Sequence, residues 1–475
     1  MHGAPDRDER SRTMSNRPSR PNILFITTDQ QSSTLMSCAG NRYLETPAMD
    51  HLAREGVRFE RAYCTNPVCL PSRFSWFTGR MPSELNVWCN KSGRDVKKVP
   101  ENILQTTAGQ LLKKAGYRVA YGGKVHLPGD MTPMTMGCEF ITDDKRDGLA
   151  QVSADWIRQQ GTRGKRPFFL SVNLVNPHDI CFMGMRDFIR ATRAHDPDLN
   201  KNERWLLSDG SPEMDELNRA LQIPAGMSEE DFFARHCPPL PSNHQPQEDE
   251  PEAVGDEVRD HGFRRYIREH WDEKTWRLHR WAYCRLTERV DGQIKTILDA
   301  LDAAGLADNT LVIFTSDHGD HDGAHKLDQK TVPYEETARI PLILRWPERI
   351  EAGQVQSRPV SNGLDILPTL CDVAGCEVPE GLLGRSLIPL ATGTLAADDR
   401  EAIPIEWQFG RGIVRGILKY LRYNYGAGNE QLMDLGRDPG ELRNHIDEPE
   451  LANELLACRA AYERLFGIES GEAPA

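Results

Sequence analysis

The chain has 475 residues, 39% of them hydrophobic and 27% charged, and a formal net charge of −13 at pH 7. This composition is typical of a globular protein and excludes disorder throughout, and the length favours one large domain with a smaller appended unit. The acidic charge balance excludes general binding to nucleic acid or to an anionic membrane surface, because both need an extended basic face. No run approaches the roughly 18 consecutive apolar residues of a membrane span, so no membrane partner is expected.

Residues 1–20 are charged and polar, without an apolar stretch or a small-residue cleavage site. We therefore expect a flexible N-terminal tail, in which Met14 is a second candidate start, and a cytoplasmic protein. The eleven cysteines are an odd number and follow no regular framework. That pattern favours reduced, structural thiols.

In the first half of the chain, three apolar segments are predicted to be buried strands that deliver polar side chains to their tips. They are 22–28, which precedes Asp29 and Gln30, 117–121, which precedes Lys124 and His126, and 168–175, which precedes His178. Capping and glycine signals place helices between residues 46 and 56 and from 107 to 115, and residues 57–63 are predicted to be extended.

In the second half, residues 183–273 are polar, irregular and rich in proline and acid, and we interpret them as an insertion over the core. Residues 276–304 have helical spacing, and the strand predicted at 311–315 ends at Asp317 and His318. A strand at 341–346 and a helix at 365–374 continue the alternation. After about residue 395 the pattern changes to short strands, at 403–407 and 418–423, and a helix at 450–466.

Strands that alternate with helices predict an α/β fold, with a large, mostly parallel sheet sandwiched by helices. Functional groups are expected at the carboxyl ends of the strands. The predicted domains are the tail at 1–20, a catalytic domain at 21–395 with the insertion at about 183–273, and a smaller C-terminal α+β subdomain at 396–475.

Residues 68–80 carry the most specific motif of the chain. The segment Cys69-Leu70-Pro71-Ser72-Arg73, followed by Thr78-Gly79-Arg80, resembles the sulfatase signature, which is Cys-x-Pro-x-Arg and a helix ending in Thr-Gly-Arg. A lone cysteine is most often an inert structural thiol, and we interpret Cys64 in this way. For Cys69, the surrounding motif favours a functional role instead. The resemblance extends from Pro21 to about Phe466. It implies an alkaline phosphatase-like fold and a sulfuric ester hydrolase.

The resemblance also implies a modified nucleophile. In sulfatases a separate formylglycine-generating enzyme oxidises this cysteine to formylglycine (3-oxoalanine), whose hydrate attacks sulfur with one hydroxyl and expels sulfate through the other. The sequence itself establishes only an eligible Cys69. A helix that starts beside Pro71 would place this residue at a helix N-terminus, which favours an anion, and Arg73 would reinforce that preference.

A cation site is implied by the same resemblance. Asp29, Gln30, Asp317 and His318 match the family's metal-binding positions beside Cys69, and a hard divalent ion suits such donors. Many sulfatases have a second acid where this chain has Gln30, and Asn where it has His318. A histidine ligand is commoner with manganese or zinc. We expect Ca²⁺ by family analogy, with Mn²⁺ or Mg²⁺ as alternatives.

The remaining site residues are basic. Lys124 and His126 match the family's Gly-Lys-x-His segment, in which the lysine contacts sulfate and the histidine helps to hold the formylglycine hydrate; on an extended tip both would point one way. His178 is assigned as general acid. Lys330, before Tyr334-Glu335, matches a second sulfate-binding lysine, since a desolvated sulfate needs cationic partners. His321 and His325 have no assigned role.

Three hypotheses for the function stay open at this point. The first is hydrolysis of a small sulfated carbohydrate or an aryl sulfate, because a long polyanion would be repelled outside the site. The second is a phosphonate monoester or phosphodiester hydrolase with the same nucleophile, since such enzymes share these motifs. The third is a non-catalytic binder of sulfated glycan, if Cys69 is never oxidised. The oligomeric state is not readable from the sequence.

Overall fold

A computed structural model of the chain describes residues 20–162, 166–192, 207–395 and 400–467. Apart from Arg20, the tail expected at 1–20 lies outside them. The strands, β1 to β15, are Asn22–Asp29, Val57–Phe59, Ala62–Tyr63, Arg118–Gly123, Glu139–Thr142, Phe168–Pro177, Thr310–Ser316, Arg339–Ile340, Leu342–Arg345, Gln354–Gln356, Val360–Ser361, Ile403–Trp407, Gly410–Arg415, Leu418–Tyr423 and Glu430–Asp434. The α-helices, α1 to α16, are Pro47–Arg54, Cys69–Thr78, Asn90–Asp95, Glu101–Leu104, Ala108–Lys114, Leu149–Thr162, Phe182–Thr192, Pro212–Ala220, Glu229–Asp231, Glu252–Asp260, Gly262–His270, Glu273–Ala303, Glu335–Ala338, Asn362–Ala374, Ile388–Ala391 and Ala452–Phe466.

Eight of the described strands form one sheet, in the order β10-β2-β9-β7-β1-β6-β4-β5. Strand β9 runs antiparallel to β2 and β7, and the other neighbouring pairs are parallel. The predicted α/β fold with a mostly parallel sheet is therefore confirmed, with one reversed strand.

Helices cover both faces of this sheet, as predicted. In β1, Ile23 and Phe25 face a core shared with α2 and α14, whereas Leu24 and Ile26 face a core shared with α1, α6 and α12. All eight residues of β1 are buried, which explains why the strand is a continuous apolar run instead of an alternating one.

A second, antiparallel sheet, β12-β13-β14-β15, packs with α16 at the C-terminus. The predicted domain boundary after residue 395 adjoins residues 396–399, which are outside the described part. The extended segment expected at 57–63 is divided, because β2 joins the large sheet and β3 joins a small one with β8 and β11. Among the described residues, no helix combines the length and the apolar character needed to cross a membrane.

The proposed insertion is more regular than we expected. Within the described part of residues 183–273, helices α7, α8, α10 and α11 replace much of the predicted irregular structure, while residues 238–251 are irregular. The helices form because each buries an apolar stripe. Met214 and Leu217 of α8 and Ile267 of α11 pack with Trp276 at the start of α12. Prolines and acids at the helix ends mask that stripe in the sequence.

A buried lysine attaches the second sheet to the catalytic domain. Lys419 of β14 is 0% exposed, and its Nζ lies 3.0 Å from a carboxylate oxygen of Glu335 and 2.5 Å from one of Glu441. It also donates to the carbonyl oxygen of Pro333 at 2.9 Å. The loop that leads from Lys330 to Glu335 is therefore held from the C-terminal side.

We predict that Lys419→Met lowers the free energy of unfolding by about 3–5 kcal/mol, because it leaves the buried carboxyl group of Glu441 without its cation and that of Glu335 with Arg339 alone. Denaturant titration of the full chain measures this. The same change at Lys295, an exposed residue paired with Asp299, is the control and should cost about 0.5 kcal/mol or less. Equal losses in the two variants would contradict the anchoring role of Lys419.

Candidate active site

Four neighbouring strands deliver polar residues to one edge of the large sheet. In the parallel register, Thr28 of β1 lies opposite Ser316 of β7, so Asp29 and Asp317 come side by side. On the other flank of β1, Asp29 lies opposite Pro177, which immediately precedes His178. Strand β4, the next one along, leads into Lys124. The predicted meeting of strand tips is observed.

Cys69 enters this edge from the first turn of α2. Its helix is buried throughout and ends at Gly79, whose φ of 68° is the left-handed conformation that glycine tolerates. Trp76 and Phe77 pack their rings edge-on against Phe25 of β1, which fixes the helix over the sheet. Ser72 donates to the carbonyl oxygen of Asp317 at 2.7 Å, so this motif side chain also docks the helix to a strand tip.

The predicted residues surround the Cys69 sulfur. Its Sγ lies 3.1 Å from Nε2 of His318, 3.7 Å from Oδ1 of Asp29 and 3.2 Å from Nζ of Lys330. His126 and His178 also interact with this thiol. Cys69 is only 1% exposed. The structure thus brings the nucleophile position and the predicted cation ligands into one pocket.

Arg73 ties the two strand tips together. Its Nε donates to Oδ2 of Asp317 at 2.8 Å and its Nη2 to Oδ2 of Asp29 at 3.1 Å, and all three side chains are 0% exposed. Lys124 Nζ lies 2.5 Å from the same Asp29 oxygen. The guanidinium therefore occupies the Oδ2 atoms, and Oδ1 of Asp29 faces Cys69. Oδ1 of Asp317 accepts from the backbone N–H groups of Gln30 and His318 and lies 3.7 Å from Nε2 of His318.

The pocket fits a hard divalent cation. Donor atoms of Asp29, Cys69, Asp317 and His318 all lie within 4.8 Å of one another, and all four residues are buried. The amide oxygen of Gln30 accepts from Lys330 Nζ at 2.7 Å, beside that cluster. Carboxylate oxygens, an amide oxygen and one imidazole nitrogen suit calcium, magnesium or manganese better than a thiol-rich set would.

Protonation in the pocket follows from burial and crowded charges. Burial raises the pKa of the Cys69 thiol. The positive charges of Lys330, Lys124 and His318 lower this pKa by more than burial raises it, so the resulting pKa lies well below the ordinary value. Burial and the charge of Asp29 raise the pKa of Asp317 to about 6. Two adjacent buried carboxyl groups are hard to ionise together because their negative charges repel each other. A bound cation would offset that repulsion.

The basic residues line the rest of the pocket. Lys330 comes from an irregular loop after β7, and Lys124 and His126 follow β4. The backbone of His126 has a φ of 40°, so the expectation of an extended tip is wrong there, although both side chains still interact with Cys69. Burial and then Lys124 lower the pKa of His178 to about 3, which makes its ring neutral near pH 7.

Sequence reasoning missed Asp320, although it lies in the same segment as Asp317 and His318. Its Oδ2 accepts from Nε2 of Gln30 at 2.6 Å. The unassigned His321 and His325 are not part of the Cys69 cluster. Both contact the ring of Tyr334, against which His325 stacks at 3.8 Å, under the C-terminal sheet.

Comparisons with known proteins agree with this geometry. The family model described as Sulfatase matches residues 21–376, and one described as N-sulphoglucosamine sulphohydrolase, C-terminal, matches residues 323–460. The chain belongs to the sulfatase family. The Delta 4,5-hexuronate-2-O-sulfatase of Bacteroides thetaiotaomicron is 28% identical over 470 residues, which cover 93% of this chain and 88% of that relative.

Solved sulfatase-like structures share the fold. A 2-O GAG sulfatase superposes with a TM-score of 0.74 at 24% identity, over 94% of this chain and 92% of that one. The phosphonate monoester hydrolase of Agrobacterium radiobacter gives a TM-score of 0.66 at 20% identity, over 95% and 96% of the two chains. The predicted alkaline phosphatase-like architecture is confirmed, and the protein is a sulfuric ester hydrolase.

We predict that Arg73→Lys lowers kcat/KM on an aryl sulfate by about 10- to 100-fold, the range found when partners of metal ligands are altered. A lysine is a single point charge and cannot bridge Asp29 and Asp317 as the guanidinium does. Arg349→Lys is the matched control, since that exposed arginine follows the reversed strand β9. Wild-type kcat/KM in the Arg73 variant would refute the bridging role.

Proposed function

We propose that the protein removes sulfate from a small sulfated carbohydrate, with a formylglycine derived from Cys69 as nucleophile and one divalent cation beside it. The observation that carries the proposal is the position of the Cys69 sulfur, 3.1 Å from His318 and 3.7 Å from Asp29, within the buried cation-ligand cluster. Ca²⁺ is our first choice of cation, and Mn²⁺ or Mg²⁺ are the alternatives. Aryl sulfates are the second substrate class.

The cation would be held by Asp29, Gln30, Asp317 and His318, next to residue 69. When bound, it supplies positive charge that polarises a sulfate oxygen and favours the ionised hydrate of the formylglycine. Maturation of Cys69 requires a formylglycine-generating enzyme as partner. The side chains of this pocket are suited to the product of that reaction, because His318 and Lys330 already lie at hydrogen-bond distance from the residue at this position.

The chain's own cations receive the sulfate. Lys124 pairs with Asp29 and Lys330 donates to Gln30, and both lysines have only about a tenth or less of their side chains exposed. Ammonium groups fixed in a desolvated pocket stabilise an anion more strongly than they would in water. They give the acidic protein a local anion site.

His178 is the proposed donor of a proton to the leaving oxygen. Before substrate binds, burial and Lys124 hold its pKa at about 3. A bound sulfate ester, which carries one negative charge, would offset part of the positive charge of Lys124 and Lys330 and raise the pKa of the imidazole. The proposed role requires the ring to carry a proton when the ester is in place, next to the oxygen that needs it.

A carbohydrate substrate is supported by the relatives. The Bacteroides relative that aligns with most of the chain is a hexuronate-2-O-sulfatase. The family model that matches residues 323–460 is described as N-sulphoglucosamine sulphohydrolase, C-terminal. A sugar hydroxyl is a poor leaving group, so an enzyme for sugar sulfates needs the protonation that we assign to His178.

We expect the tryptic peptide Ala62–Arg73 to carry an aldehyde at residue 69 when the chain is made with a formylglycine-generating enzyme. Mass spectrometry after thiol alkylation measures this, and Cys64 in the same peptide is the internal control, because it should alkylate normally. Cys69→Ala should abolish turnover. An unmodified Cys69 with full activity would overturn the proposed nucleophile, and binding without turnover by matured protein would favour a non-catalytic glycan binder.

We predict that His178→Gln lowers kcat/KM on a sugar sulfate by about 10²- to 10⁴-fold, the usual contribution of a general acid. The loss on nitrophenyl sulfate should be much smaller, because nitrophenolate leaves without a proton. The exposed His270→Gln is the control. Equal losses on the two substrates would contradict the general-acid role, and a higher kcat/KM on phosphonate monoesters or phosphodiesters would instead favour the phosphorus hydrolase hypothesis.

A further inference from the structure

The side-chain amide of Gln30 is held from both ends. Its Nε2 donates to Oδ2 of Asp320 at 2.6 Å, and its Oε1 accepts from Nζ of Lys330 at 2.7 Å. Gln30, Asp320 and Lys330 are all buried. The backbone of Gln30 is fixed as well, because its carbonyl oxygen accepts from Tyr283 at 2.5 Å and its N–H donates to Asp317 at 2.9 Å.

These two partners allow one orientation of the amide. A carboxylate only accepts hydrogen bonds and an ammonium only donates them, so Nε2 has to face Asp320 and Oε1 has to face Lys330. The oxygen consequently meets the Lys330 nitrogen, which also lies 3.2 Å from Sγ of Cys69. With the opposite orientation, an N–H group would point at the cation site.

Asp320 is itself held in place. Its Oδ1 accepts from the backbone N–H of Asp322 at 2.7 Å, and its own backbone N–H donates to Ser32 at 3.1 Å. His279 Nε2 lies 4.0 Å from Oδ1 on the far side. Asp320 thus presents a fixed acceptor to Gln30.

We propose that Asp320 is a positioning residue that keeps the Gln30 oxygen turned toward the cation, and that it is the reason why this chain has Gln instead of an acid at residue 30. A carboxylate at residue 30 has no N–H to donate, so it would lose the 2.6 Å hydrogen bond that orients the side chain and would bring a second acceptor against Asp320. The inference rests on the cation site of the proposed function, and Asp320 makes no contact with the Cys69 sulfur.

The test is a reciprocal exchange at residues 30 and 320, read out as metal affinity. In Asp320→Asn, the oxygen of the introduced amide accepts from the Asp322 N–H, so its NH₂ group faces Gln30. That NH₂ group favours a Gln30 amide turned the other way round, with its oxygen toward residue 320. We expect Ca²⁺ and Mn²⁺ to bind about 10- to 100-fold more weakly. Gln30→Glu should also weaken binding, although a carboxylate is ordinarily the better ligand for these ions.

The double variant Gln30→Glu with Asp320→Asn should recover most of the affinity. There the introduced amide at position 320 donates its NH₂ to one oxygen of the introduced carboxylate at position 30, and the other carboxylate oxygen faces the cation. Asp328→Asn is the control, since this buried carboxyl in the same loop does not contact Gln30, and it should leave the affinity unchanged.

Isothermal titration calorimetry on full-length, chelator-stripped protein gives the dissociation constants, and thermal unfolding without metal verifies the folding of each variant. Wild-type affinity in Asp320→Asn, or a double variant no tighter than the weaker single one, would overturn the inference. If Asp320→Asn does not fold, Gln30→Glu decides alone, since tighter binding there would overturn it. If the wild-type chain binds neither ion, the proposed cation site fails instead.

Discussion

The bridge that Arg73 makes between Asp29 and Asp317 is the constraint on which the rest of the site depends. Parallel register places two fully buried carboxyl groups on adjacent strand tips. Without a cation between them, burying both would cost several kcal/mol. Arg73 and Cys69 lie on successive turns of the same helix, α2. The hydrogen bonds of Arg73 to Asp29 and Asp317 therefore also set the distance from the Cys69 sulfur to these two carboxyl groups. Cys69 and the proposed cation ligands Asp29 and Asp317 are thus held together by one side chain.

The overall charge of the chain and the charge of its pocket have opposite signs. A protein with a net charge of −13 repels large polyanions at long range, yet Arg73, Lys124 and Lys330 converge beside Cys69. Screening by salt weakens the long-range repulsion more than the contacts inside a desolvated pocket. This combination favours a compact ester that can enter the pocket over a polymer that must lie along the surface.

The sequence was sufficient to predict the fold class, the strand tips and most of the pocket residues, because buried strands with polar ends and the Cys69 motif are local patterns. Strand order was not predictable, since the adjacency of β7, β1, β6 and β4 depends on pairings between distant segments. The helices of residues 183–273 were missed because their apolar stripes are short and because prolines and acids stand at the helix ends, as at Pro212 and Pro251.

The loop that carries Lys330 was the other limit of prediction. Asp322, His325, Lys326, Gln329 and Thr331 have positive φ angles, which residues other than glycine adopt uncommonly, so a run of them is hard to predict from the sequence. Asp320 was missed for a related reason. Its role depends on which end of an amide it meets, and that contact exists only after β1 and β7 are paired.

The depth at which Cys69 lies bears on when the oxidation proposed for this residue could take place. With 1% of its surface exposed, at the start of a helix that is buried on every side, the sulfur cannot be surrounded by a second protein once the sheet has closed. An oxidising enzyme would therefore have to act on the nascent or unfolded polypeptide. Maturation would then compete with the folding rate, so slower synthesis or delayed folding should increase the converted fraction.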